Sequence, residues 1–243
     1  MANTTKTRPT AVLMSGQFRT FPNCIRTQHW HVYRHFPDLH FFVVAQNDVT
    51  APGCVELLES LYGKARVVAR LIEDPTDLPV APEHLGNFAP TANAAPHENL
   101  VLQHWYQMKV WELFSASGME AGVTIRMRGD NYMSNFDADL KVVPDAVHSP
   151  YWGKFGGIND RLAVMSGRAP EAYFNVYGQI DTLLHMGCPF HPESLLKASL
   201  ELAGVRSIDT LRSAFTTYRA DGNHRYPEIL MDDIANLVTA RGG

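Results

Sequence analysis

Apolar runs and polar breaks alternate along the first 72 residues of the chain. The runs AVLM (11–14), FFVVA (41–45) and ARVVARL (65–71) have the length and the apolar content of buried strands. Between them, segments 23–36 and 53–63 carry apolar residues at helical spacing. Strands that alternate with helices in this way predict an α/β fold with a mainly parallel sheet flanked by helices on both faces.

A different pattern follows, in which long irregular stretches separate helices. Residues 73–98 hold five prolines among Asn and Ala, which predicts a long irregular loop. Helices are predicted at 98–118, 170–187, 192–204 and 227–240. In the first of these, the apolar face is expected to contain Leu102, Tyr106, Val110, Leu113 and Phe114.

The segment GVTIRMRGDNYMSNF (122–136) combines a strand pattern with charged residues on alternate positions. If Val123 and its alternate neighbours face a core, then Arg126 and Arg128 share the opposite face, and Asp130 follows at the same spacing in a Gly-Asp-Asn turn. A row of Arg, Arg and Asp at the end of a strand can hold a phosphate and a cation. It is equally the pattern of an ordinary salt-bridged edge.

Composition and charge narrow the class of protein. The chain has 243 residues, 45% of them hydrophobic and 19% charged, as in globular proteins, and its net charge of −4 does not favour nonspecific binding to nucleic acid. No apolar run reaches the roughly 20 residues that a membrane span requires, and the polar N-terminus is unlike a secretory signal. Three widely spaced cysteines indicate reduced thiols, so we expect a cytoplasmic protein without a transmembrane segment.

Several common motifs are missing from the sequence. The loop after the first strand reads SGQFR rather than G-x-G-x-x-G, and neither a P-loop nor a G-x-S-x-G elbow is present. Polar residues instead follow three predicted strands, at Ser15-Gly16-Gln17, Gln46-Asn47-Asp48 and the Arg-Arg-Asp row. Ligands of open α/β sheets lie beyond such strand ends, although each end taken alone also fits turn and capping chemistry.

Four stretches occur in a recognisable order: AVLMSGQFRTF, IRMRGDNY, GGINDRLAVMSGRAPEAYFNVY and HPESLLKASLELAGV. Over residues 11–219 the chain resembles the glycosyltransferase-like proteins related to the WavE lipopolysaccharide-synthesis family, within the nucleotide-diphospho-sugar transferase (GT-A) superfamily. The resemblance implies a Rossmann-like GT-A sheet and transfer of a sugar from a nucleotide donor. It also implies a single domain over 1–243, with a nucleotide-binding half at 1–72, the irregular loop at 73–98 and a metal and acceptor half at 99–243.

The resemblance further implies which residues contact the nucleotide. These are Ser15, Gly16, Gln17 and Arg19, with Asn47 and Asp48 near the base or ribose. Arg126 and Arg128 are further candidates for the nucleotide, because a guanidinium can pair with phosphate. Asp130 stands where the related proteins carry an acidic motif that binds Mn²⁺ or Mg²⁺, but RGDN offers one carboxylate rather than D-x-D. A cation there would need the diphosphate to complete its shell, whereas Arg126 and Arg128 can pair with the diphosphate directly. The alternative is that Arg126 merely pairs with Asp48 or Asp130.

Two carboxylates are candidates for catalysis. Asp160 follows a Gly-Gly segment that can approach a ligand closely, and Glu193 lies beside His191 in the sequence FHPES. A transferase that inverts configuration needs a general base for the acceptor hydroxyl, and a carboxylate can serve. Asp160 can equally form an ion pair at a strand end, and Glu193 is favourable in the first turn of a helix through the helix dipole alone.

The sequence and the resemblance therefore predict a glycosyltransferase that moves a sugar from a UDP-, GDP- or similar donor to an acceptor hydroxyl, with a glycan as acceptor and a role in polysaccharide biosynthesis. One alternative is a phage-type enzyme that glycosylates a hydroxylated base in DNA, which would need a basic face for the phosphates. The other is a non-catalytic protein that binds a nucleotide sugar on the same fold, because fold alone does not determine function.

Overall fold

The computed structural model describes residues 8–75 and 97–225. Within these ranges the helices are α1 (Phe21–His31), α2 (Ala51–Tyr62), α3 (His97–Ala116), α4 (Ala169–Phe174), α5 (Ile180–His185) and α6 (Pro192–Leu202). The strands are β1 (Thr10–Gly16), β2 (Leu39–Gln46), β3 (Val67–Ile72), β4 (Val123–Met127), β5 (Asn131–Phe136), β6 (Ala146–Pro150), β7 (Leu162–Met165), β8 (Arg206–Leu211), β9 (Ser213–Tyr218) and β10 (His224–Arg225).

Seven of these strands form one sheet in the order β3-β2-β1-β4-β7-β6-β8. All neighbours pair in parallel except β7, which is antiparallel to both β4 and β6. A smaller antiparallel sheet contains β10, β9 and β5. The predicted α/β fold with a mainly parallel sheet is confirmed.

Helices cover both faces of the large sheet, as the unbroken apolar runs predict. On one face, Leu13 and Val44 pack in a core with residues of α3, α4 and α6. On the other, Met14 and Val43 pack with residues of α1 and α2. Alternate residues of one strand thus enter two different cores, which explains why β1 and β2 are apolar at nearly every position.

The structure corrects three details of the sequence-based prediction. β4 lies between β1 and β7, so the Arg row is not at an edge of the sheet. The single helix predicted at 170–187 is two short helices, α4 and α5, joined by a 3₁₀ turn at Tyr177–Gln179. The buried face of α3 contains the predicted Tyr106, Val110 and Phe114, but it also contains two polar residues that the prediction left out, His104 and Gln107. Most of the irregular loop and the helix predicted at 227–240 lie outside the described residues.

Candidate functional site

The sheet topology gathers the predicted site residues at one edge, which we call the carboxyl edge. It consists of the loops that follow β1, β2 and β4 together with the residues that precede β7. The first three strands are parallel and therefore end at the same edge. Because β7 is antiparallel to β4, with Met127 opposite Leu162, the start of β7 meets the end of β4. Asp160 and Arg161 thus lie beside Arg126 and Arg128.

Arg126 is the most deeply buried charge of the row, with 1% of its surface exposed. It lies on the face of β4 that α3 covers, beside Leu13 of β1. Its Nη1 donates to Ser15 Oγ at 3.3 Å and to the carbonyl oxygen of Met127 at 3.2 Å, while its Nε has no hydrogen-bond partner within the described residues. Burial lowers the pKa of this guanidinium. The alternative pairing of Arg126 with Asp48 or Asp130 is not what the structure shows.

Arg128 takes the ion pair that was considered for Arg126. Its Nε and Nη2 donate to the two oxygens of Asp130 at 2.9 and 2.8 Å, a bidentate arrangement. Burial raises the pKa of the Asp130 carboxyl, but the charge and hydrogen bonds of Arg128 outweigh this and hold that pKa below its ordinary value. Both side chains keep partial exposure, 26% for Arg128 and 17% for Asp130, so a ligand can reach them.

The turn that carries this pair is fastened by Gln28 of α1, a fully buried residue. Its Nε2 donates to the carbonyl oxygens of Arg128 at 3.0 Å and Asn131 at 2.9 Å, and its Oε1 accepts from Tyr33 at 3.0 Å. The amide thereby satisfies two buried carbonyls of a turn that the sheet itself leaves unpaired. Gln28 was not predicted from the sequence, where it is one polar residue among many in its helix.

The loops after β1 and β2 lie next to each other, as predicted. Arg19 Nε donates to Asp48 Oδ2 at 3.5 Å and joins the two loops. The other oxygen of Asp48 accepts from the backbone N–H of Thr50 at 2.8 Å and of Ala51 at 3.0 Å, so this side chain caps the start of α2. Asn47 Nδ2 donates to Glu73 Oε1 at 2.6 Å. Capping and turn chemistry therefore occupy both residues.

Two further residues of the first loop fit a close approach by a ligand. Gly16 has a φ of 103°, which favours glycine, and apart from its chain neighbours no described residue has an atom within 4 Å of where a Cβ would stand. Gln17 is exposed. By contrast, a Cβ on Gly157 would lie 1.9 Å from the carbonyl oxygen of Glu193. The Gly157 backbone therefore packs closely against the start of α6, and this contact accounts for the glycine without a ligand.

Asp160 and Glu193 are both buried, at 2% and 3% exposure. Positively charged arginines lie near them. Burial raises the pKa of Asp160, but the nearby arginines, with Arg161 first, outweigh it and lower that pKa. Burial and the charge of Asp160 raise the pKa of Glu193. Two neighbouring carboxyls whose pKa values move apart are the arrangement expected of an acid and base pair.

Glu193 reaches the surface through His191. The Nδ1 of His191 lies 2.9 Å from Glu193 Oε2, and 38% of the His191 side chain is exposed. The Glu193 carboxylate raises the pKa of this imidazole. A half-exposed histidine held by a buried carboxylate is a common general base. The position of His191 is a stronger indication than the sequence alone provided.

Polar residues of α3 and α4 that the sequence analysis did not select complete the cluster. His104 and Gln107, on the buried face of α3, contact each other at 3.1 Å between Nδ1 and Oε1. Gln103 Nε2 donates to Asp160 Oδ2. Tyr173 of α4 is fully buried, and the charges of Arg126 and Asp160 act on it. The available signal was the spacing of His104 and Gln107, which places two polar residues among the core positions of α3.

Three further observations concern metals, cysteines and membranes. Within 8–75 and 97–225, no three His, Cys, Asp or Glu side chains come together as a metal site. The three cysteines, Cys24, Cys54 and Cys188, are free thiols. Among the helices that the structure describes, none combines the length and the apolarity that a membrane crossing demands.

Comparison with known proteins yields structures but no family. No family model matches the chain, and no curated protein matches it. Two solved structures of the glycosyltransferase GlyE from Streptococcus pneumoniae TIGR4 have similar folds, at 9% identity and TM-scores of 0.46, for the apo form, and 0.44. They cover 83% and 84% of this chain, which spans 45% and 46% of their length. Similarity at this level says nothing of what this chain binds or transfers.

Proposed function

We propose that this protein is a glycosyltransferase that moves a sugar from a nucleoside diphosphate sugar to an acceptor hydroxyl, with a glycan as the acceptor. The observation that carries the proposal is the buried guanidinium of Arg126 at the carboxyl end of the central strand. Among the described residues its hydrogen-bond partners are a hydroxyl and a carbonyl, neither of which carries a charge. A buried cation is costly unless anions compensate it. The carboxylates of Asp160 and Asp130 act on Arg126 without a hydrogen bond, and a diphosphate would supply an anion in direct contact.

The donor would lie across the carboxyl edge. The loop at Ser15 and Gly16 allows close approach to a nucleotide, and Arg128 presents a second guanidinium at the exposed rim. When the glycosidic bond breaks, negative charge develops on the leaving diphosphate, and fixed positive groups stabilise it. Arg126 and Arg128 are the groups that we assign to this role.

The acceptor would lose its proton to the pair formed by His191 and Glu193. His191 is the member that an incoming hydroxyl can reach, since Glu193 is buried behind it. The carboxylate would orient the imidazole and stabilise its charged form. Asp160, which the arginines keep ionised, would face the donor sugar.

A divalent cation has a smaller place in this proposal than the family resemblance implies. Asp130 is the one carboxylate that we assign to a cation, and Arg128 already donates to both of its oxygens. A Mn²⁺ or Mg²⁺ ion at this point would need diphosphate oxygens as further ligands. We propose that any cation arrives with the donor.

A thermal-shift panel of UDP, GDP, CMP and dTDP tests the donor site. A ligand that binds only the folded protein raises its melting temperature by mass action. We expect one nucleoside diphosphate to raise it, and Arg128→Gln to weaken that binding about 10-fold or more, as expected for a lost charge-assisted hydrogen bond. Arg66→Gln is the matched control, since Arg66 pairs with Asp38 at the opposite edge of the sheet.

Turnover separates an enzyme from a non-catalytic binder. The nucleotide identified in the panel is supplied as its sugar conjugate, and release of nucleoside diphosphate is measured with and without glycan acceptors. Acceptor-dependent release supports the transferase. Binding without release would leave a nucleotide-sugar-binding protein, and no binding by any nucleotide would overturn the proposal.

A further inference from the structure

A cleft of about 330 Å³ lies between α5 and α6. Leu183, Met186 and Pro189, from α5 and the segment that joins it to α6, form its apolar side. The volume lies within the range of about 300–1,000 Å³ that is usual for ligand sites. No residue that we assign to the donor is among the described residues that line this cleft. The cleft is therefore a second candidate for binding, separate from the carboxyl edge.

One face of α6 leads from His191 into the cleft. Ser194, Lys197 and Glu201 line the cleft, and with His191, which directly precedes α6, they follow one another at intervals of three or four residues. Residues at this spacing lie on the same face of a helix. Ten residues of helix rise about 15 Å, which is more than one sugar ring spans. A ligand that starts at His191 can thus continue along α6.

The walls of the cleft combine apolar surface with hydrogen-bonding groups of both kinds. Lys197 Nζ lies 3.9 Å from Glu201 Oε1, and both side chains are exposed. An ammonium donates and a carboxylate accepts, and the hydroxyl of Ser194 can do either. A sugar carries hydroxyls at its rim and C–H groups on its faces, so it can contact the polar and the apolar walls together.

Phe155 connects the cleft with His191. It precedes Gly156, which lines the cleft, and its ring centroid lies 5.6 Å from that of His191. The guanidinium carbon of Arg161 lies 6.0 Å from the same ring. Phe155 is nevertheless 55% exposed. A ring that is held in place yet open to solvent can stack on the C–H face of a sugar.

The backbone at Phe155 is strained. Its φ is 43°, in the left-handed region that side chains with a Cβ avoid. Strained residues other than glycine cluster at binding sites and active sites. A glycine would adopt this conformation without strain, whereas this position carries an exposed ring that does not belong to either core. The ring therefore calls for a ligand rather than a packing role.

We propose that the acceptor is an oligosaccharide, whose reacting sugar stacks on Phe155 beside His191 and whose next sugars lie in the cleft along α6. This inference rests on the proposed function, which places the acceptor hydroxyl at His191. It adds a preference for sugar chains over single sugars. It also assigns Phe155, Ser194 and Lys197 to recognition of the acceptor.

Cys188 reports on the cleft without any need for turnover. It lines the cleft and is partly exposed, whereas Cys24 and Cys54 are buried, so N-ethylmaleimide should modify Cys188 first. Burial raises the pKa of the Cys188 thiol, so the reaction is run under mildly alkaline conditions. Mass spectrometry follows the rate of modification with linear tetrasaccharides of glucose, galactose, mannose and N-acetylglucosamine, and with the four single sugars.

We expect at least one tetrasaccharide to slow the modification of Cys188 about 5-fold or more at saturating concentration, since only the free cleft reacts. The corresponding single sugar should leave the rate unchanged, because it does not reach from Phe155 into the cleft. The same tetrasaccharide should serve as acceptor in the assay of nucleoside diphosphate release, with a lower KM than the single sugar.

Three variants separate the ring of Phe155 from general effects. Phe155→Leu keeps the apolar character but removes the ring, and Phe155→Tyr keeps the ring. Trp30→Leu is the control, since Trp30 is an exposed aromatic residue of α1. We expect Phe155→Leu to weaken protection by the tetrasaccharide about 5-fold or more, as loss of an aromatic contact does, while the other two variants retain it. Nucleotide binding should be unchanged in all three.

The results that would overturn the inference differ from those that would overturn the proposed function. If no tetrasaccharide slows the reaction, the cleft is not an acceptor site, even where a nucleotide binds and is released. Equal protection by single sugars, or protection that is the same in Phe155→Leu as in the wild type or equally lost in Trp30→Leu or Phe155→Tyr, has the same meaning. Slower modification at higher protein concentration without sugar would assign the cleft to a second copy instead. Protection without nucleotide binding would support the oligosaccharide site and remove the glycosyltransferase proposal.

Discussion

At the scale of single residues, the two arginines of the site differ in how exposed they are and in whether a carboxylate binds them. Arg128 and Asp130 satisfy each other at the rim, whereas Arg126 is buried and lacks a carboxylate in hydrogen-bonding contact among the described residues. The rim pair is partly exposed, at 26% for Arg128 and 17% for Asp130, so a ligand can approach it from solvent. The buried member supplies a fixed charge whose desolvation has already occurred on folding.

Asp130→Asn tests the rim pair. The amide keeps the shape of the side chain but loses the charge, so Arg128 is no longer held in its bidentate orientation. We expect the fold to be retained and donor turnover to fall about 100-fold, as when a group that positions transition-state charge is lost. Release of nucleoside diphosphate is the measurement. Asp38→Asn, at the other end of the sheet and also in an ion pair with an arginine, should retain turnover; equal loss in both variants would contradict the assignment.

The raised pKa of Glu193 predicts how the stability of the protein depends on pH. Burial and Asp160 raise its pKa above the ordinary value of 4.5, so the folded state holds this proton more tightly than the unfolded state. Stability from this group is present below pH 4.5 and is lost as the pH rises through the raised pKa. The raised pKa of His191 acts in the same direction. The melting temperature of Glu193→Gln minus that of the wild type should therefore increase from pH 4 to pH 8, and a difference that stays flat or falls would refute the shift.

At the scale of elements, the site depends on a helix that contributes no charge to it. α1 packs on the face opposite to α3, yet its Gln28 holds the turn between β4 and β5. The ends of β4 and β7 are in register, and Arg161 O accepts from the backbone N–H of Arg128 at 3.3 Å and from Asn131 Nδ2 at 3.0 Å. The turn is thus fixed from two sides, which a preorganised site requires.

Gln28→Leu separates positioning from charge. Leucine fills a similar volume but removes both hydrogen bonds to the turn; the Arg128 carbonyl keeps the backbone N–H of Asn131 at 3.3 Å, whereas the Asn131 carbonyl loses its bond from Gln28. Loss of a partner costs about 1–3 kcal/mol for a buried polar group. We expect a lower melting temperature together with weaker nucleotide binding. Tyr33→Phe removes only the bond to Gln28 Oε1 and leaves both bonds to the turn. It should lower the melting temperature without weakening nucleotide binding, and equal binding by both variants would show that Gln28 has only a structural role.

Sequence patterns predicted the elements better than the site they build. The parallel strands and the meeting of their polar ends follow from unbroken apolar runs, and both predictions are confirmed. The reversed direction of β7 has no signature in a four-residue strand, although it is what brings Asp160 beside Arg126. Tyr106, Val110 and Phe114 of α3 are buried as predicted, whereas His104 and Gln107 were missed because polar residues on the same buried face give no apolar signal.

At the scale of the whole molecule, charge argues against DNA as the acceptor. The chain carries a net charge of −4, and the arginines of the carboxyl edge are interleaved with Asp130, Asp160 and Glu193. Binding of duplex DNA requires several cations free to neutralise successive phosphates and therefore depends steeply on salt. A balanced, largely buried cluster suits one small anionic ligand instead, and this favours a nucleotide sugar and a glycan.

The small number of metal ligands among the described residues predicts how the melting temperature should respond to metal. Within 8–75 and 97–225 no set of three metal-ligating side chains exists, and Asp130 is the one carboxylate that we assign to a cation. We expect Mn²⁺ alone to leave the melting temperature unchanged. Mn²⁺ together with the bound nucleoside diphosphate should add to the shift of the nucleotide, because phosphate oxygens complete the coordination shell.

The corresponding nucleoside monophosphate is the control for this experiment, since it lacks the second phosphate that bridges a cation. A shift with Mn²⁺ alone would mean that protein groups hold the metal without a ligand and would remove Arg128 from its role as the main partner of Asp130. A nucleotide shift that is identical with and without Mn²⁺ would leave charge stabilisation to Arg126 and Arg128. In that case Asp130→Asn should still impair turnover, because the carboxylate would act by orienting Arg128 rather than by binding metal.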